Sequence, residues 1–219
     1  LLVVFNSVGA QTPKADSLIQ VLQQLGRDSQ YVNVMNLISE ELADKNADRS
    51  LEYAMHAHVL SKQIKFIKGL GVSLNNIGWA YYRKGDYSKG FDYALQALRM
   101  NDSISNLPQL AISYRNVGAI YNSQAKYRES IDYFRREMHI HRQLNNQPGV
   151  GRSMNNIAFS AHRGKMKDSA IIFGHAALEH NSKLNDPYLI AFGLRTLGDI
   201  YFEDGNLDRA VDYLTASVA

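Results

Sequence analysis

The sequence of 219 residues contains no cysteine, which excludes disulfide bonds, iron–sulfur clusters, thiolate zinc sites and cysteine nucleophiles. Only four prolines accompany fifteen glycines, so collagen-like and proline-rich classes are excluded as well. There is also no excess of one charge. The 24 Lys and Arg residues against 21 Asp and Glu leave a net charge of +3, which is too close to neutral for a nucleic-acid-binding surface.

The composition that remains is that of a folded chain. Hydrophobic residues make up 45% and charged residues 21%, which is the balance of a globular protein rather than a disordered one. The length allows one or two domains.

The N-terminal segment, residues 1–10, is apolar at first and then rich in small residues. It runs from Leu1 through Phe5 to Gly9 and Ala10, and it resembles the end of a secretory signal peptide cleaved after Ala10. We therefore expect an extracytoplasmic protein. The alternatives are a short buried strand or helix in a cytoplasmic protein, or an anchor that is retained. No other stretch approaches the ~20 apolar residues of a membrane helix.

An internal repeat of forty residues dominates the rest of the sequence. One eight-residue pattern, Leu-Asn-Asn-Ile-Gly-Trp-Ala-Tyr in its clearest form, recurs in four copies and in a degenerate earlier one. The copies begin at Val34, Leu74, Tyr114, Met154 and Leu194. A second segment repeats at the same spacing, beginning at Ser50, Gly90, Ser130, Ala170 and Ala210.

Both repeated segments have the periodicity of helices. In the first, Leu74, Ile77 and Tyr81 fall on one helical face. A small residue beside this face would let a neighbouring helix approach closely, and it is Gly78, Gly118, Ala158 or Gly198 in successive copies.

Short turns are predicted between the two helices of a repeat. Gly85 and Gly205 can adopt the left-handed conformation that ends a helix, and Asp86 and Asn206 can cap the next one. The prolines mark helix starts, because proline is tolerated in the first helical turn. Pro108, Pro148 and Pro187 would open later repeats, and Pro13 would open an additional N-terminal helix. Each second helix is expected to extend to Ile64, Ile104, Leu144 and Leu184.

The pattern apolar-x2-Leu-Gly-x2-Tyr, a short turn and small-x3-aromatic resembles the tetratricopeptide repeat, in a variety of forty residues rather than the usual ~34. The resemblance implies an all-α fold, a right-handed α-α superhelix of about five helix-pair repeats preceded by an N-terminal helix. The copy at 154 departs from the pattern at Ala161 and Gly174. The first copy departs at Ile38 and Glu41, and it is expected to serve as an N-terminal cap.

The expected organisation is a signal-peptide remnant at 1–10, a capping helix at 11–30 and a repeat array at 31–219. The repeats lie near 31–70, 71–110, 111–150, 151–190 and 191–219. The last is expected to be truncated within its second helix, which indicates a fragment of a longer protein. Similar arrays resemble the N-terminal sensor regions of bacterial signalling proteins, which precede a histidine kinase, a nucleotide cyclase or a DNA-binding effector.

In this fold the first helices line a concave groove. The residues one step round from the packing positions are predicted to form a peptide-binding site. They are Asn75, Trp79, Tyr82, Arg83, Arg115, Asn122, Asn155, Phe159, His162, Arg163, Arg195, Asp199 and Phe202. Arginine and asparagine donate hydrogen bonds to carbonyls and carboxylates, and aromatic rings supply rigid contact area.

A peptide or protein partner with some acidic character would suit such a surface. One alternative stays open: these residues are ordinary solvated side chains, with Trp79 and Phe159 packing against the next repeat. The competing functions are a binding module attached to an effector, an oligomerisation scaffold with no effector, and the sensory half of an enzyme whose catalytic domain lies downstream. No nucleic-acid partner is expected, and a membrane would be involved only through an anchor.

No cofactor, metal site or catalytic residue is predicted within this sequence. His56 and His58, like His139 and His141, are two apart, and His175 and His180 are five apart, whereas zinc on a helix requires an i,i+4 pair. The segment from Gly69 to Leu74 begins like a dinucleotide-binding fingerprint but lacks its third glycine. We interpret it as a helix-ending loop.

Overall fold

A computed structural model of the chain describes residues 12–218, which form eleven α-helices and no strand. The predicted signal-peptide remnant lies outside this range. The helices are α1 Pro13–Gln23, α2 Ser29–Leu42, α3 Ala47–Gln63, α4 Ile67–Arg83, α5 Tyr87–Ser103, α6 Leu107–Ser123, α7 Tyr127–Gln143, α8 Gln147–Arg163, α9 Lys167–Leu184, α10 Pro187–Glu203 and α11 Leu207–Ala216.

The forty-residue repeat is a repeat of helix pairs, which confirms the predicted all-α array. The first helices α4, α6, α8 and α10 each have 17 residues and begin forty residues apart. They begin four residues before the predicted repeat boundaries. Pro108, Pro148 and Pro187 lie in first turns as predicted, where the missing N–H has no helical partner to lose.

The turns between helices have a period of twenty residues, half that of the repeat. In each of the eight turns from α3 to α11, one residue has a positive φ: Lys65, Gly85, Ser105, Ala125, Asn145, Lys165, Asn185 and Gly205. The next residue donates its backbone N–H to a carbonyl five positions back, as Asp86 does to Tyr81 at 3.0 Å. This is the bond that closes a Schellman motif. Both predicted turn glycines are confirmed, and Asp86 and Asn206 cap the following helices.

The chain divides into two compact units, one ending at Gln109 and the other beginning at Leu110. In the first unit, α1 contacts α2 as a short N-terminal helix. Its Leu22 shares a core with the first repeat, where Ile38 and Tyr53 are fully buried. The next repeat has a second cluster around Leu74. The degenerate first copy is therefore fully packed despite its departures from the pattern.

The second unit is built around one larger cluster that joins the five helices from α7 to α11. Phe134, Ile157 and Leu197 are among its buried members. The divergent copy at 154 packs well, because Ala161 is fully buried and Gly174 leaves room for Leu197: a Cβ at Gly174 would lie 2.7 Å from Leu197 Cδ2. No helix among residues 12–218 combines the length and apolar character needed to cross a membrane.

The interpretation of residues 69–74 as a helix-ending loop is wrong, because they lie inside α4. The glycines serve close packing rather than a chain reversal. A Cβ on Gly69 would overlap the ring of Phe66, and one on Gly71 would overlap the amide of Asn101. Helical glycine is tolerated here because a neighbouring side chain occupies the space of its missing Cβ.

Candidate functional site

The predicted groove residues have three different environments, and the first is buried. Asn75 and Asn155, eighty residues apart, are each 1% exposed. Asn155 Nδ2 donates to the carbonyl of Leu189 at 2.9 Å, and Asn75 Nδ2 donates to the carbonyl and Oε1 of Gln109 at 3.0 Å. Both amides join a first helix to the start of the next first helix. Their contacts are structural, and the prediction that they also bind a peptide stays a prediction.

The second environment is an aromatic surface in the first unit. The half-buried rings of Trp79 and Tyr82 stack with centroids 4.7 Å apart, and Tyr82 contacts Tyr87 of α5 at 5.7 Å. Arg83 is exposed, with its Nε 3.4 Å from Asp44 Oδ1. The rings are therefore held by each other, and the neighbouring guanidinium is already paired.

The third environment lies on α8 and α10 in the second unit, and we call it the arginine–phenylalanine surface. It consists of Phe159, Arg163, Phe192 and Arg195. The two rings meet with centroids 6.1 Å apart, within the usual range for aromatic pairs. The Arg163 guanidinium lies 5.9 Å from the Phe159 centroid, and that of Arg195 lies 6.0 Å from Phe192. These four side chains form one continuous row.

The charge of this row is uncompensated. Both arginines are exposed, and among residues 12–218 no carboxylate oxygen lies within 4.0 Å of either guanidinium. Arg163 also donates to the hydroxyl of Tyr127 at 3.4 Å, which together with the ring fixes its direction. Stacking on a ring leaves the edge of a guanidinium available for hydrogen bonds. The row therefore combines positive charge with half-buried apolar area.

A small cavity of about 160 Å³ lies beside this surface. Buried Ala170 and Ile200 and the side chain of His162 line it together with four charged groups at its rim. The rim charges neutralise one another, since Lys165 Nζ lies 2.7 Å from Glu203 Oε2 and Lys167 pairs with Asp204. The hydrogen bond from Lys165 lowers the pKa of Glu203, and the one to Asp204 raises the pKa of Lys167.

The remaining predicted residues are scattered in their surroundings. Asn122 donates to Ser160 Oγ at 2.7 Å, while Arg115 and Asp199 are half-buried. Phe202 is 63% exposed. The structure thus brings together Phe159, Arg163 and Arg195 from the predicted set, and His162 lies next to them.

Phe192 and Tyr127 were missed by the sequence reasoning, although both contact the arginines. Phe192 precedes Arg195 by three residues, so extending the predicted face by one turn toward the start of α10 finds it. No such signal exists for Tyr127, which belongs to the first turn of a second helix. Within residues 12–218, no three His, Asp or Glu side chains are placed to hold a metal ion.

Two stretches of the chain, residues 70–101 and 110–148, match the family model of the tetratricopeptide repeat. The chain therefore contains tetratricopeptide repeats in these two stretches, and the succession of helix pairs continues on both sides of them. No curated protein matches its sequence significantly.

Solved structures with the same fold cover most of this tetratricopeptide-repeat chain. The crystal structure of BtubC from P. vanneervenii matches with a TM-score of 0.78 at 15% identity, over 94% of this chain and 88% of that one. A Rap protein complexed with competence and sporulation factor matches with a TM-score of 0.77 at 16% identity, over 91% of this chain and 59% of that one.

A third similar structure is a STAND signal-transduction ATPase with a tetratricopeptide repeat sensor from Pyrococcus horikoshii. It matches with a TM-score of 0.68 at 17% identity, over 93% of this chain and 35% of that one. At these identities the likeness concerns the fold. Fold alone does not set function, so a functional assignment has to rest on the surface itself.

Proposed function

We propose that this tetratricopeptide-repeat protein binds a peptide or protein segment and performs no catalysis within these residues. The observation that carries the proposal is the arginine–phenylalanine surface, where Arg163 and Arg195 lie uncompensated over two touching rings. Arginine and aromatic residues dominate binding energy at protein interfaces. A segment that offers carboxylates beside an apolar side chain complements both parts of the surface.

We further propose that the chain is the sensor part of a larger bacterial signal-transduction protein and functions outside the cytoplasm. The Rap protein with its bound factor and the STAND protein with its repeat sensor support a sensing role, as proteins of the same fold. The signal-peptide-like sequence at 1–10 supports the location. Protease treatment of spheroplasts prepared from cells expressing the full-length protein checks it: a periplasmic or outward-facing membrane-associated array is released or degraded, and an array that stays protected inside the spheroplasts contradicts the proposal.

A peptide display library selected on the purified chain tests the binding role. Selected peptides should be enriched in Asp and Glu next to aromatic or aliphatic residues. The double variant R163A/R195A should lower their affinity at least tenfold, a loss of about 1.4 kcal/mol. The affinity of the original chain should also fall as salt is raised, because exposed charges are screened.

Arg136 supplies the matched control. It lies 5.2 Å from the ring centroid of Tyr133 on α7, outside the arginine–phenylalanine surface. R136A should therefore bind the selected peptides as the original chain does. Equal binding by R163A/R195A and R136A, with far-UV circular dichroism unchanged, would contradict the assignment of the site.

A second candidate function is self-association, which is favoured by apolar side chains on α11. Leu207 is 58% exposed and Val211 is 61% exposed, and both fall on one face of this helix. Light scattering that shows a dimer over a wide concentration range, combined with loss of that dimer in V211D, would support a scaffold. A monomer at all concentrations would contradict it.

A further inference from the structure

One helix of the second unit buries an ionisable pair where its counterparts carry none. Glu137 of α7 is 1% exposed, and the residues at the same position of α3, α5 and α9 are fully buried alanines, namely Ala57, Ala97 and Ala177. His141, one turn later, is 8% exposed and stands in register with Ser61, Asn101 and Asn181. A buried carboxylate costs free energy unless it is paired, so packing alone gives no reason for this substitution.

The pair belongs to a chain of contacts that ends at the start of α8. Asn146 is the N-cap of this helix, and its Oδ1 accepts the Gly149 N–H at 3.0 Å. Because the backbone N–H can only donate, this contact fixes which end of the amide is oxygen. The other end, Nδ2, lies 3.2 Å from His141 Nδ1. His141 Nε2 in turn lies 3.5 Å from Glu137 Oε1.

These contacts define the protonation state of His141 that the geometry accommodates. An amide nitrogen only donates, so Nδ1 must accept, and the ring proton is on Nε2, facing the carboxylate. The ring has little room to move. A Cβ on Gly149 would overlap it, so only a glycine at that position admits the imidazole against the first turn of α8. A backbone hydrogen bond also holds the turn between α7 and α8, because Asn146 N donates to the His141 carbonyl at 2.9 Å.

A second proton on His141 reverses this arrangement. It binds at Nδ1, the ring nitrogen that faces Asn146, and two donors then oppose each other. Rotation of the amide by half a turn relieves the conflict by presenting Oδ1 to the imidazolium, but it withdraws Oδ1 from the Gly149 N–H. The Glu137 carboxylate meanwhile faces a full positive charge, which it attracts.

We propose that His141 is an acid-sensitive switch of the helix cap, in which protonation transfers the Asn146 side chain from the first turn of α8 to the imidazolium. The only covalent change is the new Nδ1–H bond of His141, and the only species consumed is one proton from solvent. Because α8 carries Phe159 and Arg163, the switch acts on the helix that bears the candidate binding surface.

The helices that adjoin the turn between α7 and α8 carry other ionisable groups, and the effects of their protonation have to be distinguished from that of His141. On α7 these are His139, which contacts Gln143, and the neighbouring Arg142. On α9, His180 Nε2 lies 3.0 Å from the carbonyl of Gln147. A ring nitrogen carrying hydrogen donates to a carbonyl whether the ring is neutral or charged, so this contact persists through a titration. The adjacent first helices also carry charged residues, Arg115 on α6 and Arg152 on α8.

Amide hydrogen exchange followed by NMR across pH 5–8, corrected for the intrinsic rate, tests the switch. The Gly149 amide should lose about fivefold of its protection in acid, the effect of a typical N-cap. The Arg49 amide, which Asn46 caps at 3.0 Å without a histidine in contact with that cap, is the internal control and should keep its protection. Loss at both amides, or at neither, would overturn the proposal.

The chain supplies its own replacement residues for the variants. H141S introduces the small buried residue found at Ser61, and E137A introduces the buried alanine of three other repeats, so both variants should fold. In H141S the Gly149 protection should become independent of pH, whereas H180N should retain the acid-induced loss. A persistent loss in H141S, or its disappearance in H180N, contradicts the assignment to His141. Peptide affinity is not read here, so the outcome is separate from that of the proposed function.

Discussion

The helix pairs α4–α5 and α8–α9 lie eighty residues apart, one in each unit, and share the same internal contacts. In both, a glycine of the first helix faces a buried asparagine of the second: Gly71 faces Asn101, and Gly151 faces Asn181. In both, an asparagine of the first helix donates to a backbone carbonyl at the start of the next first helix. The repeat α6–α7 between them has Ala111 and His141 at the glycine and asparagine positions.

Besides the buried departures at Ala161 and Gly174, the two pairs differ where they meet solvent. Trp79 of α4 becomes Phe159 of α8, Gly85 of one turn becomes Lys165 of the other, and the paired Arg83 corresponds to Arg163, which has no carboxylate partner among residues 12–218. The comparison teaches that the contacts of these buried asparagines are held constant while the exposed face is varied. Under the proposed binding role, partner specificity belongs to the varied face and stability to the shared contacts.

The largest effect is expected from filling the glycine positions. G151A places a Cβ in overlap with Asn181 Oδ1 and 2.9 Å from its Cγ, and G71A does the same to Asn101. Both asparagines are fully buried and have no free space to retreat into. Each variant should lower the free energy of unfolding by about 2 kcal/mol, the cost of overpacking less the gain in helix propensity. Urea unfolding measures it.

The double variant G151A/N181A tests whether the loss in G151A comes from overlap between the new Cβ and Asn181. Removing the asparagine amide makes room for the new Cβ, so the double variant should be more stable than G151A alone. Equal losses for G71A and G151A would support the equivalence of the two pairs. A neutral G151A beside a costly G71A would break it.

The next effect concerns the buried asparagines of the first helices. N155A removes the donor to the Leu189 carbonyl, and N75A removes the donor to Gln109. Each should cost about 1.5 kcal/mol from a lost buried hydrogen bond and a small cavity. Arg195 occupies the same position of its repeat but is exposed, so R195A should stay within about 0.5 kcal/mol. Similar losses for all three variants in thermal unfolding would contradict the structural role.

The forty-residue spacing was enough to predict the fold, because one helix pair cannot bury its apolar face and a stack of such pairs can. The turns at Gly85 and Gly205 and the helix starts at the prolines could also be predicted, because the backbone conformation there depends on the residue present. The segment from Gly69 to Leu74 was misinterpreted because glycine ends a helix in one setting and admits a neighbour in another. What shows that Gly71 admits a neighbour is the Asn101 side chain, which occupies the space of the missing Cβ and whose location the sequence does not reveal.

The candidate site was predictable only in part. Periodicity places Phe159, Arg163 and Arg195 on a solvent face, but it gives no distance between α8 and α10 and so cannot show that Phe159 meets Phe192. Periodicity also cannot show that Asn75 is buried and Trp79 is partly exposed. Both positions lie at the edge of the core face, and their burial depends on the angle at which the next helix crosses. That crossing is a tertiary property.

A smaller effect is expected at the turns. Gly85 and Lys165 occupy equivalent positions with φ of +79° and +57°. G85A should lower the free energy of unfolding by about 1 kcal/mol, because a Cβ is strained in this conformation, and K165G should raise it by about 0.5 kcal/mol. K165A keeps the strained Cβ but removes the contact with Glu203, as K165G does. The difference in stability between K165G and K165A therefore gives the cost of a Cβ in this backbone conformation. Chemical denaturation measures the free energy of unfolding of all three variants. A K165G variant no more stable than K165A would contradict the strain attributed to this turn.

The smallest effect is expected from ion pairs that link neighbouring turns, and their polarity is opposite in the two units. In the first unit the earlier turn is acidic, with Asp44 facing Arg83 of the later one. In the second unit the earlier turn is basic, with Lys165 facing Glu203. All of these groups are exposed, and such pairs contribute little to stability. E203Q should lower the melting temperature slightly at low salt, and the difference should vanish in about 1 M NaCl.

The pH dependence of this pair follows from the direction of its shift. The Lys165 hydrogen bond holds the pKa of Glu203 below its usual value, so the stabilisation is present above the unfolded-state pKa and is lost as the pH falls through the folded-state pKa. E203Q and the original chain should therefore converge in acid as well as in salt. If the difference persists under both conditions, Glu203 acts through packing around the adjacent cavity rather than through its charge. D44N in the first unit, which removes the charge that faces Arg83, should show only the salt-sensitive part.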